Sequence, residues 1–349
     1  MANMNIRKPR FYCDRINYLT NRGRSVSQCC EIQATSTGNN TVGLRSGSVV
    51  ADLIDMKPLN QATFETSESA TTQADTVVTR FDFAFGSYRT NFIAILNHNM
   101  KSADAKFSIG HGTEAQVETI DFDTSGGGTL VSPSIVLNGS VASSIVTPQS
   151  DGHTLVTFTS EGSSDWGIQF QGSDGGNFDG TNDLKIGCIL IGEYYDMPHS
   201  PDLSVKRSIK FNKQKLQESL GGQKYSNMSS IGKNFDSSQS KSPFHDYTAN
   251  GERGMYGGRI SYDMKFSYLN STDIMPDDYS NFNDNSVVDD IWNATHGSHT
   301  PFIFTQDGSA NLPHSESDYL FARFAQNSLD MTQVAPDVFD ISMKIEEEF

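Results

Sequence analysis

Two short apolar runs stand out in this 349-residue chain. Phe92-Ile-Ala-Ile-Leu96 lies between Arg89 and Asn91 on one side and the turn-like Asn97-His98-Asn99 on the other. The stretch Leu184-Lys-Ile-Gly-Cys-Ile-Leu-Ile-Gly192 has the same character. Runs of this length closed by turn residues predict strands buried on both faces. The two are expected near each other at the centre of one β-sandwich.

Around them the pattern predicts many short strands between positions 45 and 200: 48–54, 76–85, 105–110, 116–122, 129–137, 143–147, 153–160 and 166–170. In 76–85, Thr79, Phe81 and Phe83 alternate with Val78, Arg80 and Asp82, which predicts one wet face. Strands at spacings of this kind, broken by turns such as Gly126-Gly-Gly128, point to a sandwich or barrel. Met197-Pro-His-Ser-Pro201 stiffens the chain and is read as a domain boundary. Beyond it come a basic strand at 203–211 and a polar loop at 212–256, with a short strand at 224–228 and too little apolar content for a core of its own. The segment 259–269 then alternates strictly, with Ile260, Tyr262, Met264, Phe266 and Tyr268 on one face. A helix is expected near 284–296, with Val287, Val288, Ile291 and Trp292 on one side and His296-Gly297 as its stop. Strands at 301–304, 319–324 and 338–345 complete the chain. The expected fold is mainly β: an N-terminal arm (1–44), an antiparallel jelly-roll β-sandwich (45–200), and a second antiparallel β domain with one helix (201–349).

Composition fits this picture, with 36% hydrophobic and only 19% charged residues beside 29 glycines. The net charge of -16 argues against nucleic acid and anionic membranes as partners. The charge is uneven: positions 1–24 carry Arg7, Lys8, Arg10, Arg15, Arg22 and Arg24 against Asp14 alone. A basic arm of this kind can bind the acidic body of a neighbouring copy, although its Phe11, Tyr12, Ile16, Tyr18 and Leu19 call for burial. The four cysteines, Cys13, Cys29, Cys30 and Cys188, form neither a disulfide framework nor a zinc pattern, so buried thiols in a reducing compartment are expected. The start lacks the apolar core of a signal peptide, and no run reaches transmembrane length.

Candidate chemistry is sparse. No nucleophile elbow, metalloprotease or kinase motif occurs, and Ser230-Ile-Gly-Lys-Asn234 fails the phosphate-loop pattern. The chain is therefore expected not to be an enzyme; a β-sandwich glycosidase would need a carboxylate pair that nothing here nominates. His98 is read as a strand-end cap, and His296 and His299 as helix-end and loop residues. In the loop 174–183, Asn177, Asp179, Asn182 and Asp183 offer hard oxygens for Ca²⁺, against the competing reading of a tight polar turn. No other cofactor is expected. Trp166, beside Asp165 and Gln169, is the candidate for stacking a sugar, with a core position as its alternative.

Arg89-Thr-Asn-Phe-Ile-Ala-Ile-Leu-Asn-His-Asn99 and Ile186-Gly-Cys-Ile-Leu-Ile-Gly-Glu193 resemble the central and closing strands of galactose-binding-like (discoidin-type) jelly rolls on tailed-phage structural proteins. Gly258 to Leu269, the helix near 284–296, Thr300-Pro-Phe-Ile-Phe304, Tyr319-Leu-Phe-Ala-Arg323 and Ile345-Glu-Glu-Glu348 resemble the closing domain of phage tail-tip and distal-tail proteins. The resemblance implies a structural virion protein of a bacteriophage tail tip or baseplate, assembled in the host cytoplasm. Its implied partners are copies of itself in a ring and other tail proteins. The alternative is a carbohydrate-binding tail module for a host surface glycan, with Trp166 and the 174–183 loop as its candidate site.

Overall fold

The computed structural model describes residues 7–32, 40–67, 75–83, 88–118, 128–172, 178–210, 214–228, 259–277, 285–308 and 318–348. Three mainly antiparallel sheets are stacked; the one parallel pairing among the described residues joins Asn40–Thr41 to Asp75–Asp82. The outer sheet runs in the order Gly139–Ala142, Ile145–Pro148, Ala105–Gly112, Asp165–Gly172, Asp75–Asp82, Cys30–Ile32. The middle sheet has four strands in the order Cys188–Gly192, Tyr88–His98, Gly152–Ser163, Pro133–Leu137. Together these two form the expected antiparallel jelly-roll β-sandwich. The C-terminal sheet runs Tyr194–Asp196, Arg10–Tyr12, Phe302–Thr305, Tyr319–Phe324, Val338–Glu347, Arg259–Asn270, Lys206–Lys210, with Met331–Ala335 paired to Val338–Glu347.

The strand Tyr88–His98 is flanked by Cys188–Gly192 and Gly152–Ser163, so the two apolar runs are hydrogen-bonded neighbours, with Ile95 opposite Ile189. Side chains alternate across a strand, and here each face has its own core. Ile93 and Ile95 point into the sandwich with Val77, Phe107, Ile168 and Phe170. Phe92, Ala94 and Leu96 point the other way, onto Tyr12, Ile303, Tyr319 and Phe321 of the C-terminal sheet. The far face of that sheet packs Phe11, Phe302, Phe304 and Phe324 against Ile274, Val287 and Ile291 of its helical turns. The sandwich and the C-terminal sheet are joined through an apolar layer.

Several expectations change. Residues 10–32, expected as part of an arm, are built into the body. Arg10–Tyr12 is an interior strand of the C-terminal sheet, and helix Arg15–Asn21 buries Ile16, Tyr18 and Leu19. The apolar residues set their place, and the charges are matched locally: Arg10 with Asp196 at 2.5 Å and Arg15 with Asp290 at 2.6 Å. Tyr194–Asp196 already belongs to the C-terminal sheet, so the chain leaves the sandwich at Gly192, before the prolines. Gly192 allows the crossing, because a Cβ there would lie 2.5 Å from the Cys13 carbonyl. Residues 50–53 form a 3₁₀ turn rather than a strand, with the Asp52 carboxylate accepting from the Val49 N–H. Glu114–Glu118 is a helical turn where the strand expected at 116–122 would begin; 119–122 lie outside the described residues. In Asp75–Asp82 neither face is wet, since Val78 and Arg80 are buried as well. In Arg259–Asn270 a register shift after Phe266 breaks the alternation. Leu269 takes the inward place and Tyr268, at φ 62°, is 76% exposed. The polar loop contains a hairpin, Gln214–Glu218 with Lys224–Met228. Its remainder lies outside the described residues, as do Asn283 and Asp284. All four cysteines are buried and unpaired.

His98 closes the central strand as expected. Its Nδ1 accepts from the Met100 N–H at 3.2 Å, which leaves Nε2–H to donate to Thr154 Oγ1 at 2.9 Å. Burial, then His153 nearby, lowers its pKa to about 3. The unfolded chain binds this proton near pH 6.5 and the folded one does not, so stability rises with pH across that window. Between pH 6.5 and 4.5 this residue should cost the fold roughly 2–3 kcal/mol. Denaturant titrations of wild type and His98→Gln should therefore converge on acidification; parallel pH curves would show that His98 does not titrate this way. A second prediction concerns the seam between the N-terminal helix and the C-terminal domain. Burial pushes the Asp290 carboxyl up to about 6 even beside Arg15. Arg15→Met strands that carboxyl, and should cost about 3 kcal/mol at neutral pH. The loss should shrink toward pH 5, where the carboxyl takes up a proton.

Candidate functional site

Helix Arg15–Asn21 starts at Asp14, whose carboxylate accepts from the Asn17 N–H at 2.6 Å and from the Ile191 N–H at 2.9 Å. This fixes the helix on the middle sheet. Tyr18 is buried at the edge of the sandwich core, and Arg22, four residues on, donates from its guanidinium to the Tyr18 hydroxyl. Opposite stands the π-helix Val287–Asn293, capped by Ser286, whose hydroxyl accepts from the Asp289 N–H at 3.2 Å. The Arg15–Asp290 pair, buried on both sides, ties the two elements together.

Between them lies a cleft of about 610 Å³, lined by Tyr18, Arg22, Asp289, Trp292, Asn293, His296, Gly297, Ser298 and Asn327. Its aromatic wall is held rigidly. The Trp292 ring packs on Phe324 with centroids 5.1 Å apart, and Tyr18 lies 5.4 Å from His296. Gly297, at φ 66°, closes the π-helix beneath the indole; a Cβ there would meet the Trp292 ring at 3.2 Å. Ser298 and Asn327 are joined at 3.1 Å, and Arg323 holds the loop by donating to the carbonyls of Ser298 and His299. Burial, then His299 and Arg22 nearby, lowers the His296 pKa, so its ring is neutral at neutral pH.

The cleft thus offers flat aromatic surface beside a guanidinium, a carboxylate, two amides, a hydroxyl and a neutral imidazole. Such a set can grip a small, hydroxyl-rich molecule by one apolar face and several hydrogen bonds. Among the described residues no group of three or more His, Cys, Asp or Glu is arranged to hold a metal ion.

The residues singled out from sequence lie elsewhere. Trp166 is completely buried in the sandwich, stacked on Phe158 at 5.5 Å and beside His111 at 4.9 Å, so it presents no face to a sugar. Asp179 accepts from Thr181 and Asn182 in a tight polar turn. Asp183 accepts from Ser67 and pairs with Arg45 at 2.7 Å. Asn182 donates to Asp179. Asn177 lies outside the described residues. Sequence reasoning placed Trp292 on a helix face and His296 at its stop, but assigned neither to a site. The available signal was a tryptophan, an asparagine and a histidine within five positions; their partners Tyr18 and Arg22 are more than 260 positions away and no local pattern joins them.

No family model and no curated protein matches the chain. Among solved structures it is similar to a pectin-binding carbohydrate-binding module, with 14% identity over 47% of this chain and 88% of that one, at a TM-score of 0.30. It is similar too to chitosan-binding module 1 from a chitosanase/glucanase of Paenibacillus sp. IK-5, with 11% identity, coverage of 48% and 95%, and a TM-score of 0.30. A third is the CBM32 of AlyQ in complex with 4,5-unsaturated mannuronic acid, with 15% identity, coverage of 43% and 92%, and a TM-score of 0.26. Likeness at this level assigns no residue.

Proposed function

We propose that this chain binds a carbohydrate without chemical turnover, and that the Trp292 cleft is the site. The observation that carries the reading is a cleft lined by Trp292 and His296, backed by Phe324 and the buried Tyr18, together with the polar groups of Asn293, Asn327, Arg22 and Asp289. The indole takes the C–H face of a pyranose ring, and the amides and charged groups take its hydroxyls. One cation and one anion at the wall leave the site close to electroneutral, which favours a neutral sugar over a polyanion. Location on a virion, with a host surface glycan as target, is the setting in which such binding would serve attachment.

A second reading, a tail-structural subunit that packs against copies of itself and other tail proteins, has its own support. Leu203, Ile209, Leu216, Leu220 and Tyr225 stand exposed along one polar stretch of the chain.

The test is a glycan array probed with the full chain, run with Ca²⁺ and with a chelator. Binding to a defined sugar is expected, and Trp292→Ala should weaken it by at least roughly tenfold, the loss of one well-packed aromatic contact. Asn293→Ala, which leaves the indole packing intact, should weaken it with little change in thermal stability. An array without hits, or hits indifferent to both substitutions, would remove the proposal.

A further inference from the structure

Two exposed ribbons of opposite charge extend from the C-terminal sheet region. The first comprises the edge strand Lys206–Lys210 and the hairpin Gln214–Glu218/Lys224–Met228. The edge strand pairs with Arg259–Asn270 on one side, and among the described residues with nothing on the other. The hairpin strands pair only with each other among the described residues. Lys206, Arg207, Lys210, Lys215 and Lys224 oppose one acid, Glu218, in a chain whose net charge is -16. Along the same ribbon Ile209, Leu216 and Tyr225 are each more than half exposed, and Leu220 projects fully from the turn. The turn itself is well made: Ser219 accepts from the Gly222 N–H at 2.9 Å and donates its own N–H to the Gln223 carbonyl at 2.9 Å. A regular hairpin that holds Leu216, Leu220 and Tyr225 in water, with Ile209 exposed on the preceding edge strand, has the form of one half of an interface.

The second ribbon is Met331–Ala335, folded back on the start of Val338–Glu347. Every residue of Met331–Ala335 is exposed. Met331 and Val334 lie along it, and the register shift in the adjoining ladder turns Tyr268 outward. Its charges are acidic: Asp330 and Asp337 are both exposed at its two ends, and no basic residue falls between them.

We propose that the basic ribbon of one copy docks on the acidic ribbon of another copy of this chain. Charge decides the occupant and the pairing. Two basic ribbons repel, so a two-fold contact of like ribbons is disfavoured, and cationic residues on an edge strand block simple edge-to-edge addition. An acidic surface with its own apolar residues is the complement, and the chain carries one. The contact is head-to-tail, so any open assembly keeps one free ribbon of each kind, one at each end, and either closes on itself or grows. This docking does not depend on whether the Trp292 cleft takes a sugar.

Light scattering of the full chain over a concentration series should show association at low ionic strength that weakens at high salt. Lys215→Glu with Lys224→Glu should weaken association by roughly tenfold or more, as should Asp330→Lys with Asp337→Lys. Mixing the two swapped proteins should restore association in alternating order, because each retains one native ribbon and the altered pair is complementary again. Circular dichroism melts of each variant separate lost docking from lost folding, since these residues are exposed. A monomer at every concentration would overturn the proposal. So would association that survives both swaps, or binding of the basic ribbon to DNA or anionic vesicles in place of a second copy.

Discussion

A four-stranded sheet whose strands Tyr88–His98 and Cys188–Gly192 are buried on both faces is the constraint on which this molecule rests. Such a sheet needs an apolar partner on each side, and neither partner can be optional. The sandwich supplies one through Ile93, Ile95 and the aromatic inner face of the outer sheet. The C-terminal sheet supplies the other through Tyr12, Ile303, Tyr319 and Phe321. Tyr12 meets Phe92 edge-on at 5.1 Å, so the contact is a packed aromatic joint. A chain that reads as two domains in sequence thus behaves as layers sharing one wall. The apolar layers do the joining, and the buried Arg15–Asp290 pair fixes alignment at the rim, where its geometry is more specific than its net energy is large.

The wall was legible because its signal is local. A short apolar run with no alternation can be satisfied only by burial on both faces, and both runs show it. The β class and the alternating strand at 259–269 are legible for the same reason. What failed depended on neighbours distant in sequence. Val78 and Arg80 look like a wet face until the outer surface of their sheet is seen to be covered. Tyr268 follows the pattern of Phe266, but a bulge reverses its direction. The first 24 residues have the charge of an arm and the apolar content of a core segment; burial of Phe11, Tyr12 and Ile16 prevails, and the arginines find acids within the body.

The cleft shows the same division. Half of it, from Trp292 to Ser298, is contiguous and could have been nominated from sequence. The other half is brought by a helix near the start of the chain and by Asn327. Trp166 attracted attention as one of two tryptophans with polar neighbours, yet those neighbours serve the sandwich: Asp165 pairs with Arg80 at 2.9 Å, and Gln169 is buried in the ladder.

The placement of Arg10–Tyr12 also sets a timetable. This strand sits between Tyr194–Asp196 and Phe302–Thr305, so its ladder bonds wait for partners that the ribosome makes about 180 and 290 residues later. Until then Phe11 and Tyr12 have no sheet to enter, and the strand they occupy is an unpaired edge. The sandwich can close earlier, from strands mostly contiguous in sequence, and presents one greasy face while it waits. Loop closure over such distances is slow relative to local hairpins. The molecule therefore spends its synthesis with an exposed apolar wall and an unplaced strand, the state in which chaperone capture or premature association competes with folding.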